Sequence, residues 1–248
     1  MGRVIFITGC NRGIGRAVVN KFAKTEPDAK ILAHARKETP EFLEFINLIK
    51  NAGVEIEPVY FDLSKPDEIK SSLTAMLKAN KKIDVLVNNA GVVKEPKSFL
   101  MCDMQTLRET FEINFFAQAM ITQIICRALI RNGSGAIINL SSAAGMFGAE
   151  GRFEYSASKS AIACMTKCLA LELAPFKIRV NAVAPGMTDT EMISTMEDKA
   201  RNNLIANSVS KRLANPDEIA NVIYFLASEN SSYINGQILI ANGGGYSL

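Results

Sequence analysis

Val4-Ile5-Phe6-Ile7-Thr8-Gly9-Cys10-Asn11-Arg12-Gly13-Ile14-Gly15 is the stretch on which the fold turns. Its apolar residues read as a short strand, and the glycines follow at once. Glycine is needed where the backbone turns sharply and where it must come close to a pyrophosphate. The helix opening next would present unpaired N–H groups to such phosphates. An ordinary tight strand–helix turn asks for similar residues. The weight of the motif therefore comes from its place on the first strand of a longer pattern.

That pattern runs the length of the chain. Short apolar runs recur at 4–7, 31–33, 56–61, 83–87, 136–140, 179–183 and 237–240. Between most of them lie roughly 10–25 residues with helical spacing, as in a parallel sheet covered on both faces. Seven such strands predict an α/β chain built as one Rossmann-type, doubly wound domain over residues 1–248, with a seven-stranded parallel sheet. Pro66 and Pro216, each followed by two acids, suit the first turn of a helix.

Composition narrows the function. The 248 residues are 48% hydrophobic and 21% charged, ordinary for a soluble enzyme. A net charge of +3 without a basic stripe argues against nucleic-acid binding. No secretory signal and no run of about 20 apolar residues is visible, so a cytoplasmic protein without a membrane span is expected. The cysteines at 10, 102, 126, 164 and 168 are odd in number and fit reduced thiols. Cys164 and Cys168, four apart on a helix, read as small core or interface residues rather than a redox pair. With His34 as its one histidine, the chain has no histidine-based zinc site and no Ser-His-Asp triad unless His34 serves it. No metal is expected, and His34 reads as a strand-end residue.

Gly9-x-x-x-Gly13-x-Gly15 has the spacing at which the chain begins to resemble the short-chain dehydrogenase/reductase family. Asn88-Asn89-Ala90-Gly91, Asn114, Ser142, Tyr155-Ser156-Ala157-Ser158-Lys159, Pro185-Gly186 and Asn242-Gly243-Gly244 extend the resemblance in order over essentially the whole chain. It implies cofactor contacts from Gly9, Asn11, Arg12, Gly13 and Ile14 in the loop, Asp62 and Leu63 at the adenine edge, and Asn89, Ala90 and Gly91 after strand 4. Pro185, Gly186, Thr188 and Thr190 would run past the nicotinamide. The residues at the end of strand 2 choose between the two nicotinamide cofactors. An acid there bonds the ribose 2′-OH, and an arginine accommodates a 2′-phosphate. Ala35 occupies the acid's position and Arg36 follows, so NADP(H) is expected, with Arg12 as a second arginine.

Carbonyl reduction needs a proton for the oxygen once hydride reaches the carbon. Tyrosine, with a pKa near 10, is a sluggish acid at neutral pH, and a nearby ammonium favours its ionised form. Residues at i and i+4 share a helix face, so Tyr155 and Lys159 can address one cleft. Tyr155 would exchange the proton, and the resemblance gives Lys159 the nicotinamide ribose as well. Ser142 would hold the substrate oxygen; strand alternation and its distance from Tyr155 favour it over Ser141. Asn114 would hold a water connecting Lys159 to solvent, or simply bond the backbone.

Residues 187–210 read as a substrate lid. The stretch from Lys211 to Gly244 resembles most the branch that reduces 3-oxoacyl groups on acyl carrier protein, which makes a 3-oxoacyl thioester the expected substrate in fatty acid synthesis. A sugar, polyol or aromatic ketone is the alternative. Arg131 and Lys177 lie near the places where that branch docks its carrier, Gly133 and Phe176 align more closely, and Glu154 beside the entrance would oppose an acidic carrier. Arg152 either contacts an anionic substrate or faces solvent. A non-catalytic NADP-binding regulator is the rival from another class, but such proteins lose the tyrosine or lysine that this chain keeps. The helices around 104–131 and Tyr155 are apolar on more than one face, which together with the resemblance predicts a homo-oligomer, a tetramer.

Overall fold

The computed structural model describes residues 2–194, 201–202, 205–206 and 208–245. Seven strands form one parallel sheet: β1 (Val4–Ile7), β2 (Lys30–Ala35), β3 (Glu55–Tyr60), β4 (Val85–Asn88), β5 (Gly135–Leu140), β6 (Ile178–Pro185) and β7 (Ile238–Ala241). Their order is β3-β2-β1-β4-β5-β6-β7, the doubly wound Rossmann arrangement. It reverses between β1 and β4, where a crevice opens beyond the carboxyl ends of the strands. Ile7 is level with both Ala33 and Val87, so the loops after β2, β1 and β4 leave the sheet side by side.

Period-2 alternation explains the two covered faces. Ile5, Ile7, Ile31, Ala33, Val85 and Val87 face a core with α1 (Gly13–Thr25), α2 (Pro40–Asn51) and a helix at Pro216–Ala227. Phe6, Leu32 and Leu86 point the other way, against α3 (Pro66–Ala79), Ala117–Asn132 and Phe153–Leu173. Strands buried on both sides read as continuous apolar runs, which is how they stand in the sequence.

The helix expected around 104–131 is divided. It consists of α4 (Met104–Phe111), a π-helical turn at Glu112–Phe116 and α5 (Ala117–Asn132). Within Met104–Asn132 an 18-residue window reaches a mean hydropathy of 1.4, apolar enough by length and composition to cross a membrane although polar residues interrupt it. Half of that window is buried within the protein, with Ile121, Ile125 and Leu129 packed into the second core, as in the core helix of a globular chain. Further helices among the described residues are α6 (Ala143–Phe147), α7 (Phe153–Leu173), α8 (Glu191–Ser194) and α9 (Pro216–Ala227).

A chain of buried amides and hydroxyls fixes α5 and α7 to the sheet. Asn88 Nδ2 donates to Thr122 Oγ1 and to Asn139 Oδ1, both at 2.8 Å, and Asn139 Nδ2 donates to Thr166 Oγ1 at 2.9 Å. Cys164 and Cys168 are exposed on α7, so they are not core residues of this chain; Cys10 and Cys126 are buried.

Candidate active site

The glycine loop is braced from β4. Thr8 Oγ1 accepts from the backbone N–H of Asn89 and of Ala90, each at 3.0 Å. Asn89 Nδ2 donates to Thr8 O at 2.8 Å and Gly9 O at 3.1 Å. Asn89, expected to meet the cofactor, is thus occupied in shaping the loop, and Thr8 is a loop-forming residue that the motif reading passed over. Gly9 adopts φ +72°. At Gly15 a Cβ would lie 2.0 Å from Gly9 O, so only glycine fits there. Helix α1 starts after an extended Arg12 with neither a capping side chain nor an acid in its first turn, whereas α2 and α9 have both. Its first N–H groups therefore have neither a capping N-cap side chain nor an acid of their own first turn to meet them. The backbone cradle and the uncapped helix fit a pyrophosphate.

At the far side of the crevice, Arg36 Nε lies 2.9 Å from Asp62 Oδ2. Partial burial pushes the Asp62 carboxyl up, but the Ser64 bonds and the Arg36 charge outweigh it and hold the group below the usual range. Arg36 is largely exposed and Leu63 is buried beside it. A largely exposed arginine held at this end of the crevice by Asp62 fits a ribose phosphate there. Arg12 and Asn11 are exposed, and Ile14 is half-buried.

Ser142, Tyr155 and Lys159 meet on the same edge, beyond β5. Ser142 caps α6, accepting from Ala144 N at 3.2 Å, and its side chain lies close enough to the Tyr155 phenol to act on its pKa. Ser141 is turned away, donating from Oγ to Lys159 O at 2.8 Å. Lys159 Nζ is buried, donates to Leu140 O at 2.7 Å and lies 6.0 Å from the centre of the Tyr155 ring. Burial lowers its pKa to about 8. Burial raises the Tyr155 phenol above its ordinary value; the Ser142 bond and the Arg152 charge pull it back down. The ammonium expected to do this is engaged with a carbonyl, and Arg152, one turn earlier, contributes instead.

Asn114 sits in the π turn and is fully buried. Its Oδ1 accepts from Val92 N at 2.8 Å, and its Nδ2 donates to Val92 O at 2.9 Å and to Ser158 Oγ at 3.1 Å. Asn114 Oδ1 and Lys159 Nζ nonetheless converge on Gly91, where a Cβ would meet them at 3.1 and 3.3 Å. Ala90 O accepts from Gln118 Nε2 at 2.6 Å.

Beyond β6, which ends at Pro185, Gly186 N donates to Ala241 O at 2.9 Å, and Gly186 approaches Asn242 too closely for a side chain. Thr188 is buried and pairs with Ala214 in an isolated bridge. Thr190 Oγ1 donates to Thr188 O at 3.3 Å while its methyl packs against Gly13. Of the expected lid, 195–200, 203–204 and 207 lie outside the described residues.

Two neighbours of Tyr155 depart from expectation. Glu154 is buried with its Oε2 3.9 Å from Cys102 Sγ, so it is not an acid at the entrance. Arg152 Nη1 donates to Lys94 O, tying the start of α7 to the loop after β4.

The chemistry open to this edge is limited. A phenol held by a hydroxyl near a buried amine moves protons, and the chain's one imidazole is buried elsewhere, on β2. Such a group can serve an oxidoreductase whose hydride comes from a dinucleotide held at the switch point.

A family model described as enoyl-(acyl carrier protein) reductase matches residues 9–246. The 3-oxoacyl-[acyl-carrier-protein] reductase FabG of Thermotoga maritima is 35% identical over 246 residues, covering 98% of this chain and 97% of its own. The FabG of Aquifex aeolicus is 33% identical over 243 residues, with the same coverage. A solved structure of a protein assigned as an NAD(P)-dependent gluconate 5-dehydrogenase from Beutenbergia cavernae, with bound NADP, superposes with a TM-score of 0.91 at 31% identity, covering 98% of this chain and 96% of that one. The chain belongs to the short-chain dehydrogenase/reductase family of oxidoreductases.

Proposed function

We propose that the protein reduces the ketone of a 3-oxoacyl thioester to a secondary alcohol with NADPH. The observation that carries this is the placement of Ser142 and Tyr155 beside Lys159, at the edge where the crevice opens. Gly9, Asn11, Arg12, Gly13, Ile14 and the first turn of α1 would hold the pyrophosphate. Arg36 would take the 2′-phosphate, Asp62 and Leu63 the adenine, and Ala90, Gly91, Pro185, Gly186, Thr188 and Thr190 the nicotinamide half. Bound there, NADPH supplies a hydride to the carbonyl carbon.

The chain supplies everything else. Ser142 Oγ orients the carbonyl oxygen against Tyr155. The Tyr155 hydroxyl, kept protonated at neutral pH by its raised pKa, gives its proton to that oxygen. Lys159, once a ribose hydroxyl draws it from Leu140 O, stabilises the phenolate that remains. Asn114 supports the proton's return by fixing Val92 and Ser158 around the amine.

The FabG relatives support a thioester and acyl carrier protein as partner. Arg131 and Lys177 are exposed and available to an acidic carrier, and burial of Glu154 removes an opposing charge from the entrance. The gluconate 5-dehydrogenase neighbour supports a second reading, reduction of a keto sugar acid. Exposed Phe116 at the end of the π turn and Leu171 on α7 support self-association, read as a tetramer, of a cytoplasmic enzyme.

The test is NADPH consumption on an acetoacetyl thioester, 5-ketogluconate, an aromatic ketone and a crotonyl thioester. Preference for the acetoacetyl thioester is expected. Turnover of the crotonyl thioester alone would refute ketone reduction, and tight NADPH binding without any turnover would point to a regulator. Tyr155→Phe should lower turnover roughly 10²- to 10⁴-fold while NADPH still binds.

A further inference from the structure

A residue on β2 touches both neighbours of that strand at once. His34 is 2% exposed, and its backbone and ring are fully engaged. Its carbonyl accepts from Cys10 N at 2.8 Å. Its Nδ1 accepts from Gly9 N at 3.2 Å. Its Nε2 faces Phe61 O at 2.9 Å, and its ring stacks on Phe61 with centroids 3.9 Å apart. An N–H at Gly9 and a carbonyl at Phe61 leave one arrangement of protons: the imidazole is neutral and carries its hydrogen on Nε2.

The two ends of this bridge are the two ends of the crevice. Gly9 opens the glycine turn at φ +72°, pressed so close to Ala90 that a Cβ would meet its Cα at 2.9 Å. Phe61 is followed by Asp62, which holds Arg36. Because β2 lies between β1 and β3, a β2 side chain can reach both. An aliphatic residue there would leave a buried N–H and a buried carbonyl without partners.

We propose that His34 is a positioning residue for the dinucleotide: it fixes the glycine turn relative to the end of β3, so that the phosphate and adenosine parts of the cofactor bind as one unit. This rests on the reading that NADPH occupies the crevice.

As the chain's single histidine, His34 gives one unobscured pair of ring resonances in protein labelled with ¹⁵N-histidine. They should report the Nε2–H tautomer, and saturating NADPH should shift them both. Ring signals unmoved by saturating NADPH would overturn the proposal without any variant being made. If NADPH fails to bind the wild type, the cofactor reading itself falls. In folded His34→Leu, NADPH should bind roughly tenfold or more weakly. The fragment 2′,5′-ADP, which spans the adenosine end alone, should lose less than about threefold, and turnover at saturating NADPH should stay within about threefold. His34→Asn, whose amide oxygen can replace Nδ1 toward Gly9, should recover part of the loss. Equal loss for fragment and whole cofactor, or no loss for either, refutes the coupling.

Discussion

Acid should destabilise this protein through His34 by a calculable amount. Burial lowers the imidazole pKa from 6.5 to about 4, against weaker raising effects from the Phe61 bond and the Asp62 charge. The native state therefore binds fewer protons than the unfolded chain wherever the two forms titrate apart. The stability this confers is fully present above the unfolded value of 6.5 and is lost as the pH falls toward 4. The whole shift corresponds to about 3 kcal/mol, and about 2 kcal/mol of it is gone by pH ~5. The neighbouring groups do not titrate in that window: Asp62 is held below its usual range, and burial raises the Cys10 thiol. Urea unfolding of the wild type and of His34→Gln, at equal protein concentration and at pH steps from about 8 to about 5, isolates the contribution because every other titratable group is shared. The wild type should lose about 2 kcal/mol more than the variant over that range. Parallel stability–pH curves would refute the reasoning, because they would mean the imidazole is hydrated or charged in the native protein.

Gly15→Ala places a methyl 2.0 Å from Gly9 O; it should cost about 1–3 kcal/mol in thermal or urea unfolding and abolish NADPH binding by fluorescence titration. Arg36→Leu removes a charged partner from the proposed 2′-phosphate, so the NADPH dissociation constant should rise roughly 10- to 150-fold while that of NADH, read alongside it, stays nearly constant. Lys159 is lowered to about 8 by burial, so it carries its charge below that pH and loses it above. The apo protein should therefore bind NADPH more weakly as the pH rises through about 8, and Lys159→Arg, which keeps its charge, should lose that inflection.

The sheet was legible because each strand is buried on both faces, so Ile5-Phe6-Ile7 and Val85-Leu86-Val87 stand out as short apolar runs. The glycine turn and the i, i+4 pair on α7 were legible because both are local. What stayed hidden depends on partners far along the chain. His34 meets residues 25 and 27 positions away, and read singly it is a polar residue at the end of a strand. Glu154 resembles a surface acid until α4 and Cys102 pack over it, and Arg152 looks solvent-facing until Lys94 O takes its guanidinium. Lys159 could be placed beside Tyr155 from spacing, but its bond to Leu140 O belongs to the fold of β5.

The π turn at Glu112–Phe116 gives the long helix one residue more than an α-helix of the same length would hold. Each residue rotates a helix by about 100°, so α4 and α5 are set out of phase by that angle. The offset lets Asn114 look toward Val92 and α7 while Ile121 and Ile125 look into the sheet. A one-residue deletion between 112 and 116 would restore a regular α-helix, and it would turn all of α4 away from α7. A relative lacking that residue could keep every other motif and the same sheet, yet would have to rebuild the wall of its active site from a different helix face.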